Sequence, residues 1–405
     1  MDYDVIVVGA GPAGSVAAHN LSRAGLSVLQ LEKYRLPRSK PCGGAVMYRG
    51  IKIVQGDIPR SIIEQRIHGM RFIMPNGKEA EFTSDKLMGI TVDRSSFDEH
   101  LARRAEKVGT TLIDNTRVLK AEVSDTNAKV TTEGGREFTS RFIIGADGVN
   151  SIVSRSLGLR PLRKDLTKVG LGMESDFYVG EDGVLQATRG NPSILEIAPV
   201  VGRIGYGWVF PKRESLGIGV AGAGYHMTHL RQIFDTFWRS VSQRTGVPLT
   251  LKRRRAHFLG GDGLHSQNVA KRAILVGDAA GFVDPTMGEG IAYAMQSAAF
   301  AADVIIRAYE SGAFDVVTLS EYQELCRQEF AANFAMVGWA GTNSTLLSTL
   351  LTRISGHQLA GDIMAMTARG EIGYADIPRY TLRALPRHLP RILRRVVLCH
   401  LGAPC

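Results

Sequence analysis

Residues 5 to 14 leave few folds open. Val5-Ile6-Val7-Val8 is an unbroken β-branched run, as in a strand buried on both faces of a parallel sheet, and Gly9-Ala10-Gly11-Pro12-Ala13-Gly14 follows at once. That order predicts strand, tight turn and helix. Gly9 permits the turn, Gly11 lets the backbone approach a pyrophosphate, and Gly14 lets the helix pack closely on its strand, so phosphates sit at the positive helix N-terminus. A second strand at 27–31 ends in Glu32, about twenty residues on, where a carboxylate accepts from a ribose 2′-hydroxyl. The glycine spacing alone recurs by chance; with both strands, the helix and the acid in place it predicts dinucleotide binding.

At 405 residues the chain exceeds one typical core, which predicts two to three domains. Hydrophobic residues at 44% and charged residues at 22% are globular proportions, so a packed fold is expected. There is no uncharged apolar run of about eighteen residues and the sequence opens directly on a strand, so neither a membrane span nor a signal peptide is expected, and the expected location is cytoplasmic. Cys42, Cys326, Cys399 and Cys405 lack metal-ligand or disulfide-framework spacing, in keeping with a reducing compartment and no metal.

The net charge of +10 is unevenly placed. Lys252 to Arg255 form one basic cluster, and residues 377–405 carry six arginines with no Asp or Glu. Those arginines alternate with Leu, Ile, Val and Pro, the composition of a segment that lies peripherally on an anionic membrane surface; a solvated tail is the alternative. Nucleic acid is not expected as a partner, because no stacking aromatic beyond Tyr380 accompanies them.

Further along, 33–46 is a proline- and glycine-rich loop, 67–92 reads as short strands with a turn at Pro75-Asn76-Gly77-Lys78, and Arg94 to Lys107 reads as an amphipathic helix. Strands are expected at 117–123, 128–132 and 141–144, the last ending in Gly145-Ala146-Asp147-Gly148. From 168 to 224 the pattern alternates with glycine punctuation and no helical period, which predicts an antiparallel sheet. Ala273 to Val276 is a third buried strand, ending in Gly277-Asp278-Ala279-Ala280-Gly281; Asp284 to Gly290 then leads into a small-residue helix from Ile291 to about 309. Residues 319–398 are expected to be mostly helical. Met336, Leu346, Leu347, Leu350, Leu351, Met364 and Met366 there could close a long apolar tunnel or form an ordinary core.

Three strand-ending loops therefore converge at the carboxyl edge of one doubly wound sheet, where ligands bind. Taken in order, these residues strongly resemble the FAD-dependent oxidoreductases of the para-hydroxybenzoate hydroxylase fold, over roughly residues 1–310. The fold expected is α/β with an α+β insert: a discontinuous Rossmann-like FAD-binding domain at 1–66, 93–165 and 265–312, an antiparallel-sheet substrate and catalytic domain at 67–92 and 166–264, and a C-terminal helical region with a basic tail at 313–405. The resemblance implies FAD contacts from Gly9, Gly11, Pro12, Ala13, Gly14, Glu32, Lys33, Arg38, Cys42, Gly43, Gly44, Arg94, Val118, Asp147, Gly148, Gly277, Asp278, Gly288, Gly290 and Ile291. For Arg94 a structural salt bridge is the alternative.

Two further stretches narrow the family. Lys40-Pro41-Cys42-Gly43-Gly44 is similar to the Pro-Cys-Gly-Gly loop of geranylgeranyl reductases, with Ala45 where a third glycine is common. Tyr206-Gly207-Trp208-Val209-Phe210-Pro211-Lys212, followed by Gly219, resembles their Tyr-x-Trp-x-Phe-Pro-Lys signature. The family's reaction is stepwise reduction of isolated C=C bonds in long isoprenoid chains, and NADPH or ferredoxin, the latter a redox partner protein, is the electron donor expected. Cys42, Tyr206 and Trp208 are the catalytic candidates, and Tyr206, Trp208, Phe210 and Pro211 the residues expected along the substrate; Cys42 packs as an inert thiol in the alternative. An FAD-dependent monooxygenase or halogenase, or a non-catalytic FAD- and lipid-binding protein, are the alternative functions of this pattern.

Overall fold

The computed structural model describes residues 1–160, 169–199, 205–284, 288–355 and 357–384, with backbone alone at 337, 340–342, 344, 345, 347, 348 and 350. Pro285-Thr286-Met287, the side chains of Leu347 and Leu350, and the arginines beyond 384 lie outside the described residues.

The opening run forms the strand Tyr3–Val8, fully buried from Val5 onward, and it sits in the middle of an eight-stranded sheet. Parallel neighbours on one side are Glu137–Gly145 and then Ala273–Leu275; on the other they are Val28–Leu31 and then Thr111–Ile113. The three strands that end in glycine loops are thus side by side and point the same way, which brings their carboxyl ends together. Helix Pro12–Arg23 starts at the first loop with Pro in its first turn, and its inner face is small: Ala13, Gly14, Ala17 and Ala18. Small residues on Ile291–Ser311, among them Ala294, Ala298, Ala301 and Ala302, meet it, so the two helices lie close over the sheet.

The second sheet has seven strands in the order Arg255–Gly260, Val169–Tyr178, Ser215–Ala223, Gly205–Pro211, Ile194–Pro199, Gly69–Ile73 and Glu79–Thr83. Every pairing is antiparallel except Ile194–Pro199 with Gly69–Ile73, which is parallel. A third sheet of three strands joins Ala45–Met47, Gly89–Val92 and Ile63–Ile67, so the last short strand expected before residue 92 pairs with the cysteine loop's exit. Within 168–224, where no helix was expected, Gly180–Ala187 is helical, with Glu181 and Asp182 in its first turn complementing the dipole. It packs with Leu230–Thr245 on the rear of the seven-stranded sheet around Phe234, Phe237, Leu216 and Val220.

The C-terminal helices Glu321–Thr342, Ser344–Ile354 and Gln358–Ala368 close the other end. Among the described residues, no helix is long and apolar enough to cross a membrane. Leu351 and Met364 pack against Phe72, Met74 and Phe82 of the sheet, whereas Leu346 is exposed. The docking is tight at Gly361, where a Cβ would lie 2.0 Å from the Thr83 carbonyl oxygen. Gly361→Val should therefore lower stability by about 2 kcal/mol, in the range of overpacked cores, and make residues 344–384 the first protease-sensitive segment; unchanged melting and digestion would remove the docking role.

Candidate active site

The glycine loop is shaped by backbone contact with its neighbour. At Gly9 φ is +111°, and an added Cβ would fall 2.4 Å from the Ala146 carbonyl oxygen, so the first two strand-ending loops touch through main chain alone. The third joins them at Gly277, where a Cβ would meet Ala13 at 3.1 Å and Ala294 at 3.0 Å. Glu32 is fixed at the end of its strand: Oε2 accepts the Ala10 amide at 2.9 Å and Oε1 the Tyr34 amide at 3.1 Å. Arg38 lies alongside, 3.6 Å from Glu32 and donating to Asp98 at 2.7 Å, with a terminal nitrogen over Gly11. Lys33 stacks on the Tyr34 ring, and Val118 follows Thr116, whose amide donates to the Glu32 carbonyl.

Asp147 does two things with one carboxylate. Oδ2 accepts the Ile152 amide at 2.6 Å, capping the short helix Ile152–Ser156, while Oδ1 is buried and has no partner among the described residues. Burial pushes its pKa above the usual carboxylate value, against the hydrogen bonds it receives. Asp278 behaves oppositely: burial would raise it, but Lys40 at 3.4 Å, His257 and Arg94 hold it below the usual range. Its Oδ1 would lie 3.6 Å from a Cβ at Gly290, at the start of the Ile291 helix. Gly148 stands at φ +80° with open space around it.

Arg94 takes the salt-bridge arrangement. It is buried at the start of a helix capped by Asp93, and its Nε and one terminal nitrogen each donate to Asp98 at 2.8 Å. Burial opposes its charge, yet Asp98 and the Cys42 sulfur outweigh that and raise its pKa. Arg94 thus also reaches the loop that carries Cys42, a half-buried free thiol whose sulfur accepts the Gly44 amide at 3.4 Å.

That loop lies against the aromatic strand. Tyr206, Trp208 and Phe210 alternate on one face, with ring centroids 5.6 and 6.1 Å apart along the stripe. Trp208 has room because Gly219 is its cross-strand partner, where a Cβ would sit 2.1 Å from the indole. From the other side Gly43 is pressed on Trp208 and Phe210, where a Cβ would be 2.7 Å from each. The Tyr206 hydroxyl lies over Gly288, at φ +64°, and burial pushes its pKa up, helped by Asp284 and Cys42, so it keeps its proton. Pro211 donates no hydrogen bond but its carbonyl accepts from the buried Thr91 hydroxyl at 2.7 Å. A cavity of about 360 Å³ opens beside Tyr206 and Gly288, lined also by Ala221, Leu259, Asp262, His265 and Val283.

His257, unremarked in the sequence because a single histidine carries no spacing, also belongs here. It is cross-strand partner to Gly172 and its Nε2 is sealed from solvent without a partner among the described residues. Burial, then Lys40, depress its pKa to about 4 despite Asp278. Trp208 Nε1 is likewise buried without a partner there. Unsatisfied donors and acceptors on His257, Trp208 and Asp147, with a main-chain cradle at Gly9 to Gly14, fit a large ligand with a diphosphate and a polar-edged ring, as FAD has. Among the described residues no cluster of ligating side chains could hold a metal.

Comparison with known proteins agrees with this geometry. The family described as FAD binding domain matches residues 2–335. The geranylgeranyl diphosphate reductase of Rhodobacter capsulatus is 32% identical over 326 residues, 77% of each chain. A crystal structure of a geranylgeranyl bacteriochlorophyll reductase-like protein from Thermoplasma acidophilum superposes with a TM-score of 0.76 at 22% identity, over 97% of this chain and 98% of that one. A flavin-dependent brominase variant shares the fold at a TM-score of 0.73 and 17% identity, covering 95% of this chain and all (100%) of its own.

The His257 environment has a measurable consequence. Its folded pKa lies below the ordinary 6.5, so the folded state binds fewer protons and loses stability as pH falls from about 6.5 toward 4. Glu174, raised to about 7, contributes with the opposite sign over the same window, so the comparison must be between variants. The stability advantage of wild type over His257→Phe should shrink by roughly 3 kcal/mol between pH 7 and pH 4; a pH-independent difference in chemical unfolding would show that the imidazole stays solvated.

Proposed function

This chain belongs to the geranylgeranyl reductase family of FAD-dependent oxidoreductases, and on that premise we propose that it saturates C=C bonds of a long isoprenoid chain, free as a diphosphate or attached to a lipid, chlorophyll or quinone. The observation that carries the reading is the seating of the Cys42-Gly43 loop on the Trp208-Phe210 stripe beside the convergent strand ends. Gly9 to Gly14 with Arg38 would hold the diphosphate, Glu32 the adenosine ribose and Asp278 the ribityl chain. The Gly288 to Ile291 turn, Gly43, Gly44 and Cys42 would border the ring. The sheet and loop assignments support the segments 1–66, 93–165 and 265–312 as the cofactor domain and the seven-stranded sheet as the substrate domain.

Reduced FAD, when bound, supplies a hydride from N5. An isolated trisubstituted alkene accepts hydride poorly, so a proton must reach the other carbon in a site that excludes water. Tyr206 holds a proton at its hydroxyl, and the Cys42 Sγ lies beside Arg94; these are the two groups best placed to deliver it. Trp208 and Phe210, continued by Phe72, Ile197 and Met364, would supply the apolar wall along which a prenyl chain lies, whereas Pro211 alternates to the opposite face, where it pairs with Leu216. NADPH or a ferredoxin-type partner would reload the flavin.

Because a brominase shares the fold, oxygen-dependent chemistry is the second reading, and the decisive assay is anaerobic. Reduced protein mixed with geranylgeranyl substrates without oxygen should give products that gain two hydrogens per double bond. Cys42→Ser should keep FAD and lose most of that turnover, on the order of the 10²-fold contributed by general acid catalysis. Turnover that required oxygen would support the second reading, and full activity in Cys42→Ser would reduce the thiol to packing.

We also propose peripheral binding to an anionic membrane face through the basic segment, most of which lies outside the described residues. Deleting 377–405 should weaken sedimentation with phosphatidylserine vesicles by at least tenfold, since each surface arginine contributes about 1 kcal/mol; undiminished sedimentation would contradict it.

A further inference from the structure

Four charged side chains are gathered beneath the cysteine loop, and the proposed chemistry uses none of them. Glu174 and Asp176 lie on one face of the strand Val169–Tyr178, the face shared with Trp208, because Glu174 is opposite Gly219 and Asp176 opposite Gly217. Arg255, cross-strand to Glu174, places Nε 2.7 Å from Glu174 and a terminal nitrogen 2.7 Å from Asp176. Lys212, the last residue of the aromatic signature, reaches Asp176 at 2.6 Å. The remaining Arg255 nitrogen leaves the cluster and donates to Ser39 at 2.8 Å, at the foot of the loop. Further along the loop, the Gly43 carbonyl oxygen is 3.4 Å from the place of a Cβ on Gly217. The cluster therefore touches the loop through Ser39, before Cys42, while Gly217, the strand neighbour of Asp176, lies under Gly43, after it.

Glu174 is the unsettled member. It is only 3% exposed, and although Arg255 is near, neither carboxylate oxygen receives an aligned hydrogen bond among the described residues. A buried carboxylate without such bonds is poorly stabilised as an anion. Asp176, by contrast, accepts well-formed bonds from Lys212 and Arg255. We infer that Glu174 is a titrating positioning residue, which holds or releases the Ser39–Gly44 loop, and with it Cys42, through Arg255 and Ser39.

When Glu174 is ionised, Arg255 is fixed between two carboxylates and its third nitrogen stays on Ser39. When it is protonated, one of these restraints is lost and the loop loses a fixed donor. Burial, then repulsion by Asp176, push the Glu174 pKa up to about 7 against the pull of Arg255 and Lys212. Arg255, Lys212, Asp93 and His257 each keep one protonation state across that window. Arg255 and Lys212 are raised by the acids, Asp93 behind Lys212 is held low, and His257, two residues beyond Arg255, titrates near 4. The inference rests on the proposed place of Cys42 at the flavin, but its test needs no prenyl substrate.

Hydrogen exchange of the FAD-loaded protein should be followed on the peptide spanning 38–47, corrected for the intrinsic pH dependence of amide exchange. In wild type the loop should exchange about fivefold faster at pH 6 than at pH 8, the scale of one lost charge-assisted bond. Glu174→Gln should exchange at the fast rate at both values, and Glu174→Asp should restore the pH dependence. Ser39→Ala, which removes the link while sparing the buried cluster, should abolish it too, and it decides the matter if Glu174→Gln does not hold FAD. Equal corrected rates in wild type, or a pH dependence undiminished in Ser39→Ala, would overturn the inference. Alkene reduction with a pH-independent loop would overturn this inference alone; a pH-dependent loop without alkene reduction would overturn the proposed function alone.

Discussion

The contact of the Trp208 ring with two glycines, Gly219 behind it and Gly43 in front, sets the distance between the two halves of the site. A side chain on either glycine would collide with the indole, so the strand that carries the aromatic stripe and the loop that carries Cys42 must be matched to within a few tenths of an ångström. Gly207, on the opposite face of the same strand, admits Phe237 in the same way, where a Cβ would come 2.4 Å from that ring. The alternation of glycine with aromatic residues is thus a packing device: glycine on one strand makes the socket for a large ring on the strand or helix packed against it.

Electrostatics follow from that closeness. The loop brings Lys40 to Asp278 and Cys42 to Arg94, and the sheet brings His257 and Glu174 to the same layer. Charges so near one another, removed from solvent, shift protonation in both directions: Asp278 stays ionised, His257 stays neutral, and Tyr206 keeps its proton. A site with buried polar groups of fixed charge state on one side and apolar rings on the other suits the proposed reaction, in which hydride and proton meet a hydrocarbon.

Much of this was legible in the residues. Val5 to Gly14, with Glu32, predicts the strand, turn and helix that are present, because β-branched runs and close-packed glycines have few other uses. The alternation of Tyr206, Trp208 and Phe210 predicts one face, and they share it. What was not legible depends on pairing between distant segments. The parallel join of Gly69–Ile73 to Ile194–Pro199, and the pairing of Gly89–Val92 with Ala45–Met47, arise from contacts that no local period encodes. The helix Gly180–Ala187 was hidden by glycines at both 180 and 183 in a strand-like context. His257 and Glu174 carry no motif: burial and Lys40 set the character of the first, and burial with Arg255 and Asp176 that of the second, all brought together by the fold.

In the proposed function the aromatic stripe and the Cys42 loop enclose a flavin together with a prenyl chain. The most direct measurement is mass spectrometry of lipid extracted from the purified yellow protein before and after anaerobic reduction. The extract should contain an isoprenoid whose mass rises by two hydrogens per double bond, in step with reoxidation of the flavin. Bound lipid of unchanged mass beside a flavin that stays reduced would contradict it.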